Sequence, residues 1–231
     1  MQKILVEVCV DSLEGAIVAA EAGADRLELN LALQLDGLTP SAGLVQQVLE
    51  AVSIPVITMC RPRAGDFCYS ERDWQTMLAD ASRLAGMGVY GIAFGANTAE
   101  HAVDTSRVQQ MRELVPDIEL VYHKAMDALS DPATEIKRLA SLGVDRVMTS
   151  GGVPNSLDGA QQISELQSAA AGQIEVLPAG GISSANALQI VELTDVNQIH
   201  GSFSGGKPND FVAVGEEIRT TLEQLEQAKL A

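Results

Sequence analysis

Three segments of the chain share one arrangement: "AGADRLELN" at 22–30, "MGVYGIAFG" at 87–95 and "LGVDRVMTSGG" at 142–152. In each, an amphipathic stretch runs up to a glycine (Gly23, Gly88 or Gly143) and an apolar run follows. Glycine suits the position just past a helix, because the left-handed conformation there is cheap only without a Cβ. The unit is therefore helix, glycine, strand, and it recurs. Helix starts are marked as well: Asp11 with Glu14 and Ser70 with Asp73 have capping-box spacing, while Thr39-Pro40 and Asp131-Pro132 place a capping residue before a first-turn proline. Strands read near 3–9, 25–30, 55–61, 91–95, 118–123, 145–150, 174–179 and 197–201, each followed by helical periodicity. Eight such units in 231 residues predict an α/β fold, a single (β/α)8 TIM-type barrel over 1–231. A doubly wound open sheet is the alternative, but where its G-x-G-x-x-G should follow the first strand the chain has "CVDSLEG".

Composition narrows the partners. A net charge of −16 and a pI near 4.4 leave no basic face for displacing counterions from nucleic acid. The uncharged apolar stretches fall far short of the eighteen or so residues that span a bilayer, and "MQKILVEVCVDS" has an acid where a signal peptide's apolar core belongs. No nucleic acid, no membrane and a cytoplasmic location are expected. Cys9, Cys60 and Cys68 are an odd number without a C-x-x-C pair, which fits reduced thiols.

Strand side chains alternate faces, and in a barrel a charged residue in mid-strand belongs in the lumen near its mouth. On the first strand this places Leu5, Glu7 and Cys9 inward, with Val6 and Val8 toward the helices. On the second it places Glu28 and Asn30 inward, and Arg61, His123 and His200 follow by the same parity. Barrel enzymes carry their active sites at the C-terminal mouth, so these groups converge where chemistry is expected. A structural reading stands beside that one: Glu7 and Glu28 paired with Arg61 in a polar plug. Both require contacts among these residues, since buried charges are paired or neutralised.

Copper(I) asks for two or three soft ligands. Cys9 has the parity for the mouth. Cys60, next to inward Arg61, should face the helices as a small hydrophobe, and Cys68 is left open between loop and mouth. His123, His200 and a glutamate would make a two-histidine, one-carboxylate site for a harder metal, without local spacing to support it; His101 reads as a surface residue. For an anion the candidates are "TSGG" with Ser150, Gly151 and Gly152, "PAGGISSAN" with Gly180 and Gly181, and "HGS" with His200. Their glycines also suit tight turns alone. Arg61 and Arg63 offer planar forks, with Asp66 placed to hold one of them. Lys124 would serve as a Schiff-base amine only if burial or a cationic neighbour lowered its pKa.

"VEVCVDSLEGAIVAAEAGADRLEL", "DGLTPSAGL", "MCRPRAGDFCYS", "YHKAMD" and "VDRVMTSGG" together resemble the CutC copper homeostasis family, over about residues 4–202. The resemblance implies a TIM-type barrel, a cytoplasmic location, self-association as a homodimer or larger homo-oligomer, and a role in copper tolerance through Cu(I) binding, without a settled enzymatic activity. Its copper ligands are cysteines in "VCVDS" and in an "ELC" on the second strand. Cys9 matches the first of these, and Asn30 stands at the second. "YHKAMD" replaces the family's "FHRAFD", so Lys124 keeps the charge without the fork, and the segment after "HGS" is shorter.

Two functional readings follow. One is a copper homeostasis protein that takes Cu(I) through Cys9 at the mouth. The other is an enzyme on a small anionic or phosphorylated metabolite, with Glu7 or Glu28 as base, His123 as acid, and Arg61, Arg63, Asp66, Lys124, Asp127 and the glycine loops around the anion. A barrel without chemistry, acting in binding or assembly, is the third possibility.

Overall fold

The computed structural model describes residues 3–207 and 209–230, so residues 1, 2, 208 and 231 of the expected domain lie outside the described residues. Eight parallel strands, β1 (Leu5–Val10), β2 (Arg26–Leu29), β3 (Val56–Met59), β4 (Gly91–Phe94), β5 (Glu119–Tyr122), β6 (Arg146–Thr149), β7 (Glu175–Pro178) and β8 (Gln198–Gly201), pair in the order β7-β6-β5-β4-β3-β2-β1-β8. A parallel bridge between Ala179 and His200 closes the ring. Each strand is followed by a helix: α1 (Leu13–Glu21), α2 (Ala42–Ala51), α3 (Glu71–Gly86), α4 (Thr105–Leu114), α5 (Pro132–Ser141), α6 (Ala160–Ala170), α7 (Ala187–Thr194) and α8 (Phe211–Leu230). This is the (β/α)8 barrel that the repeat predicts. No described helix is long and apolar enough to cross a membrane.

The helix–strand junctions follow from local chemistry. Gly23, Gly88 and Gly143 have φ of 102°, 85° and 77°, a conformation that any other residue would adopt under strain. The Ser70–Asp73 capping box forms at α3, and Asp131 caps α5 with Pro132 in its first turn. Two starts differ from the expectation. Ser12 rather than Asp11 caps α1, because its hydroxyl reaches the N–H of Gly15 at 3.1 Å. Ser41 rather than Thr39 caps α2, and the Thr39 hydroxyl instead accepts from the Arg61 N–H at 2.9 Å, tying the chain before α2 to the end of β3.

Packing is in two shells. Val6, Val8, Val10, Leu27 and Leu29 point outward and join the helix faces in the larger apolar core. Inside the barrel, Ile57, Met59, Ala93, Val121, Met148, Leu177 and Ala179 form a separate apolar cluster. The rest of the lumen is charged. Glu7 is paired with Arg26, not with Arg61 as the plug reading has it, because the β1–β2 register sets Glu7 opposite Arg26. Arg26 Nη2 donates to Gln198 Oε1 at 2.8 Å, and Gln198 Nε2 donates to Glu175 Oε2 at 2.9 Å. Arg146 donates to Glu175 and to Glu119, both at 2.8 Å. Arg26, Glu119, Arg146, Glu175 and Gln198 each open their strand, so this network seals the N-terminal end of the barrel.

Removing one member of a buried pair strands the other charge, which costs far more than loss of a surface pair. Arg26→Met should destabilise the protein by about 3–5 kcal/mol in urea denaturation. Lys3→Met, which removes the exposed partner of Asp25, should stay within about 1 kcal/mol.

Candidate functional site

The C-terminal mouth opens into a cavity of about 570 Å³. Cys9, Glu28, Arg61, His123, Lys124, Asp127, Ser150, Gly152, Gly180, Gly181 and His200 all line it, as does Asn30. Glu7 lies beneath this layer, 1% exposed. Arg63, Asp66 and Gly151 are not among the lining residues.

Glu7 connects the plug to the floor of the cavity. One carboxylate oxygen meets Arg26 and the other lies 2.7 Å from His200 Nδ1. Burial alone would raise the pKa of Glu7, but Arg26 and His200 override it and hold the carboxyl down to about 2. Burial opposes a charge on His200 as well, yet Glu28, Cys9 and Glu7 together raise its pKa well above the usual imidazole value. His200 Nε2 is 3.8 Å from Glu28 Oε2, and the amide of Asn30 donates to that same oxygen at 2.8 Å. Asn30, where the resemblance places a second cysteine, therefore steadies the Glu28 side chain. Burial pushes up the pKa of both Glu28 and Cys9.

The donor atoms of Cys9, Glu28 and His200 lie within 4.8 Å of one another. Among the described residues no other group of three histidines, cysteines or carboxylates comes together in this way, so the two-histidine site expected from His123 and His200 does not form. The three donors fit a metal ion: a thiol, an imidazole whose Nδ1 is already held by a carboxylate, and a carboxylate whose buried Oε1 has no protein partner.

The arginine forks and the "TSGG" loop are engaged by the protein itself, while Gly180 and Gly181 line the cavity. Arg61 is 3% exposed, its Nη1 donating to the carbonyls of Leu35, Asp36 and Gly37 and its Nη2 to that of Gly65. The fork that Asp66 holds is that of Arg63, at 3.0 Å and on the surface. In "TSGG", the N–H groups of Ser150 and Gly152 and the hydroxyls of Thr149 and Ser150 wrap the carboxylate of Asp127. The nest that reads as an anion site thus holds an internal anion. Lys124 is half-exposed and 3.9 Å from Asp127, without the burial that Schiff-base activation requires. Cys60 faces α3 as expected, its thiol donating to the Met77 carbonyl at 3.3 Å. Cys68, left open by parity, is exposed and lies off the cavity wall.

His123 ends β5 and caps the 3-10 turn Lys124–Ala128, its Nδ1 accepting from the Ala125 N–H at 3.1 Å. A Cβ on Gly95 would fall 2.5 Å from the His123 ring, so only glycine leaves room for it. Burial, with Arg61 nearby, lowers the pKa of His123 to about 3. Phe67 packs on the ring at 4.9 Å between centroids and lines the cavity with it. Phe67, Met59 and Met148 are wall residues that the sequence reading does not single out; the phenylalanine of "GDF" is the one visible signal.

The class is thus an α/β barrel whose C-terminal mouth brings sulfur, nitrogen and carboxylate donors to the floor of one cavity. Sequence comparison gives the family: residues 4–205 match the CutC family, and the chain belongs to it. It is 40% identical over 200 residues to a protein named CutC from Treponema denticola, covering 87% of this chain and 81% of that one. It is 39% identical over 220 residues to the human protein named copper homeostasis protein cutC homolog, covering 93% and 81%. The crystal structure of a Streptococcus agalactiae protein described as a copper homeostasis protein, CutC, matches with a TM-score of 0.82 at 30% identity, covering 86% of this chain and 98% of that one.

The buried groups predict acid sensitivity. Glu7 contributes stability that is present above its ordinary value of 4.5 and lost as pH falls toward about 2. His123 stays neutral when folded down to about 3, whereas the unfolded chain takes up that proton near 6.5, so it too costs stability over this range. The His200 contribution runs the other way, being complete below 6.5 and lost only as pH rises through its elevated value. Thermal melts should show stability falling as pH drops below 6.5, and His123→Asn, which keeps an acceptor for the Ala125 N–H, should flatten the first part of that fall.

Proposed function

We propose that this CutC family protein takes part in copper homeostasis by binding Cu(I) as cargo at the floor of the barrel mouth, through Cys9 Sγ, His200 Nε2 and Glu28. The observation that carries this reading is the convergence of three donor atoms within 4.8 Å at the base of an open cavity. Sulfur is the soft donor that Cu(I) prefers, imidazole is acceptable to it, and the carboxylate supplies charge. Met59 and Met148 line the same cavity and add soft thioethers to its wall. Glu7 is a positioning residue: by taking the Nδ1 side of His200 it leaves Nε2 for the metal.

Cu(I) replaces the protons on Cys9 and on His200 Nε2, both of which are bound more tightly than usual, so affinity rises with pH. Titration under reducing, oxygen-free conditions against a competing chelator should give tighter binding at about pH 8 than at about pH 6. Cys9→Ser and His200→Gln should each weaken binding by about tenfold or more, while Cys60→Ser, behind the barrel wall, should leave it unchanged. Equal affinity of Cys9→Ser and wild type would remove the thiol from the site and with it this reading.

A further inference from the structure

An ion fills a small part of 570 Å³, a volume within the range of small-molecule pockets. Four polar atoms on residues of its walls have no protein partner although their side chains are almost wholly buried: Asn30 Oδ1 and Arg61 Nε, and two more that face each other across the barrel. Glu28, on β2, is 3% exposed and leaves Oε1 unpaired; His123, after β5, is 3% exposed and leaves Nε2 unpaired. A buried polar atom without a partner is costly, and native structures keep few of them. Four on the residues of one open cavity indicate that a ligand completes some of them, Glu28 and His123 among them.

The protonation pattern identifies what that ligand presents. His123 Nδ1 accepts from the Ala125 N–H, so the ring proton of the neutral imidazole sits on Nε2 and the ligand atom facing it is an acceptor. Glu28 Oε1 accepts when ionised and donates when protonated, and a hydroxyl answers either state. The charge pattern suits an uncharged ligand, because the acids Glu28, Asp36 and Asp127 on the wall are matched by Arg61, Lys124 and His200. The two terminal nitrogens of Arg61 are taken by four carbonyls, leaving only Nε without a partner, and the "TSGG" amides hold Asp127. Phe67, packed on His123, supplies an apolar surface suited to the C–H face of a carbon chain.

We propose that the barrel mouth binds a small uncharged hydroxycarbonyl compound of the sugar type, its carbonyl oxygen accepting from His123 Nε2–H and a hydroxyl meeting Glu28 Oε1. This goes beyond the copper reading: the two share Glu28, while His123 lies outside the donor cluster and carries the contact that the copper reading does not use.

The test uses the full chain freed of metal with a chelator, so that its outcome is separate from that of the copper titration. The probes are dihydroxyacetone, erythrulose and ribulose, set against dihydroxyacetone phosphate and inorganic phosphate. Calorimetry should show at least one uncharged probe binding at millimolar concentration, weakened about tenfold or more in His123→Asn and in Glu28→Gln and unchanged in Arg63→Ala. Because His123→Asn also loses its packing on Phe67, wild-type protein labelled with nitrogen-15 in histidine supplies a second reading: the His123 Nε2–H resonance should move on addition of the probe. Binding of the phosphates alone, an unmoved His123 resonance, or equal affinity in a folded His123→Asn would each overturn the proposal.

Discussion

The two oxygens of Glu7 hold the lower and upper halves of this barrel in one electrostatic frame. One oxygen is neutralised by Arg26 at the sealed end and the other orients His200 at the open end. A carboxylate that is 1% exposed survives as an anion only because both partners are in place. Arg26 in turn depends on Gln198, Gln198 on Glu175, and Glu175 on Arg146. The position of the imidazole in the mouth is therefore set by a network that reaches the opposite end of the lumen.

This arrangement splits the interior by chemistry. The apolar cluster draws mainly on β3 to β7 and packs without directional demands, whereas β1, β2 and β8 supply none of it and carry Glu7, Glu28 and His200, whose contacts each need a partner. Cys9, Glu28 and His200 all belong to that charged side. The donor set is thus built where neighbouring groups already control its protons. His123 stands on the other side, neutral, with its one free proton.

Much of the architecture is legible in the residues alone. The glycines after three of the helices and the alternation along each strand predict the barrel, and charge on the strands predicts that Glu7, Glu28, Arg61, His123 and His200 turn inward. The pairings are not legible, because they depend on register between strands rather than on pattern within one: Glu7 opposite both Arg26 and His200 follows from how β1 sits between β2 and β8. Arg61 and "TSGG" are ambiguous in the sequence for a related reason. Arginine and "TSGG" have the right chemistry for a carboxylate or phosphate, but whether the acceptor is a ligand, an internal aspartate or a run of backbone carbonyls is decided by distant segments. Parity also leaves Cys68 open, since a loop residue has no strand to set its direction.

The carbonyl contacts of Arg61 have a mechanical consequence. One guanidinium grips the turn at Leu35–Gly37, between β2 and α2, and at the same time Gly65, between β3 and α3. Two neighbouring loops are thereby fastened by a single latch whose planar shape fixes their separation. Across the mouth, the Asp127 clasp joins the segment after β5 to the one after β6. Four of the eight rim loops are therefore coupled in two pairs, and a displacement of one member is shared by the other before it reaches whatever the cavity holds.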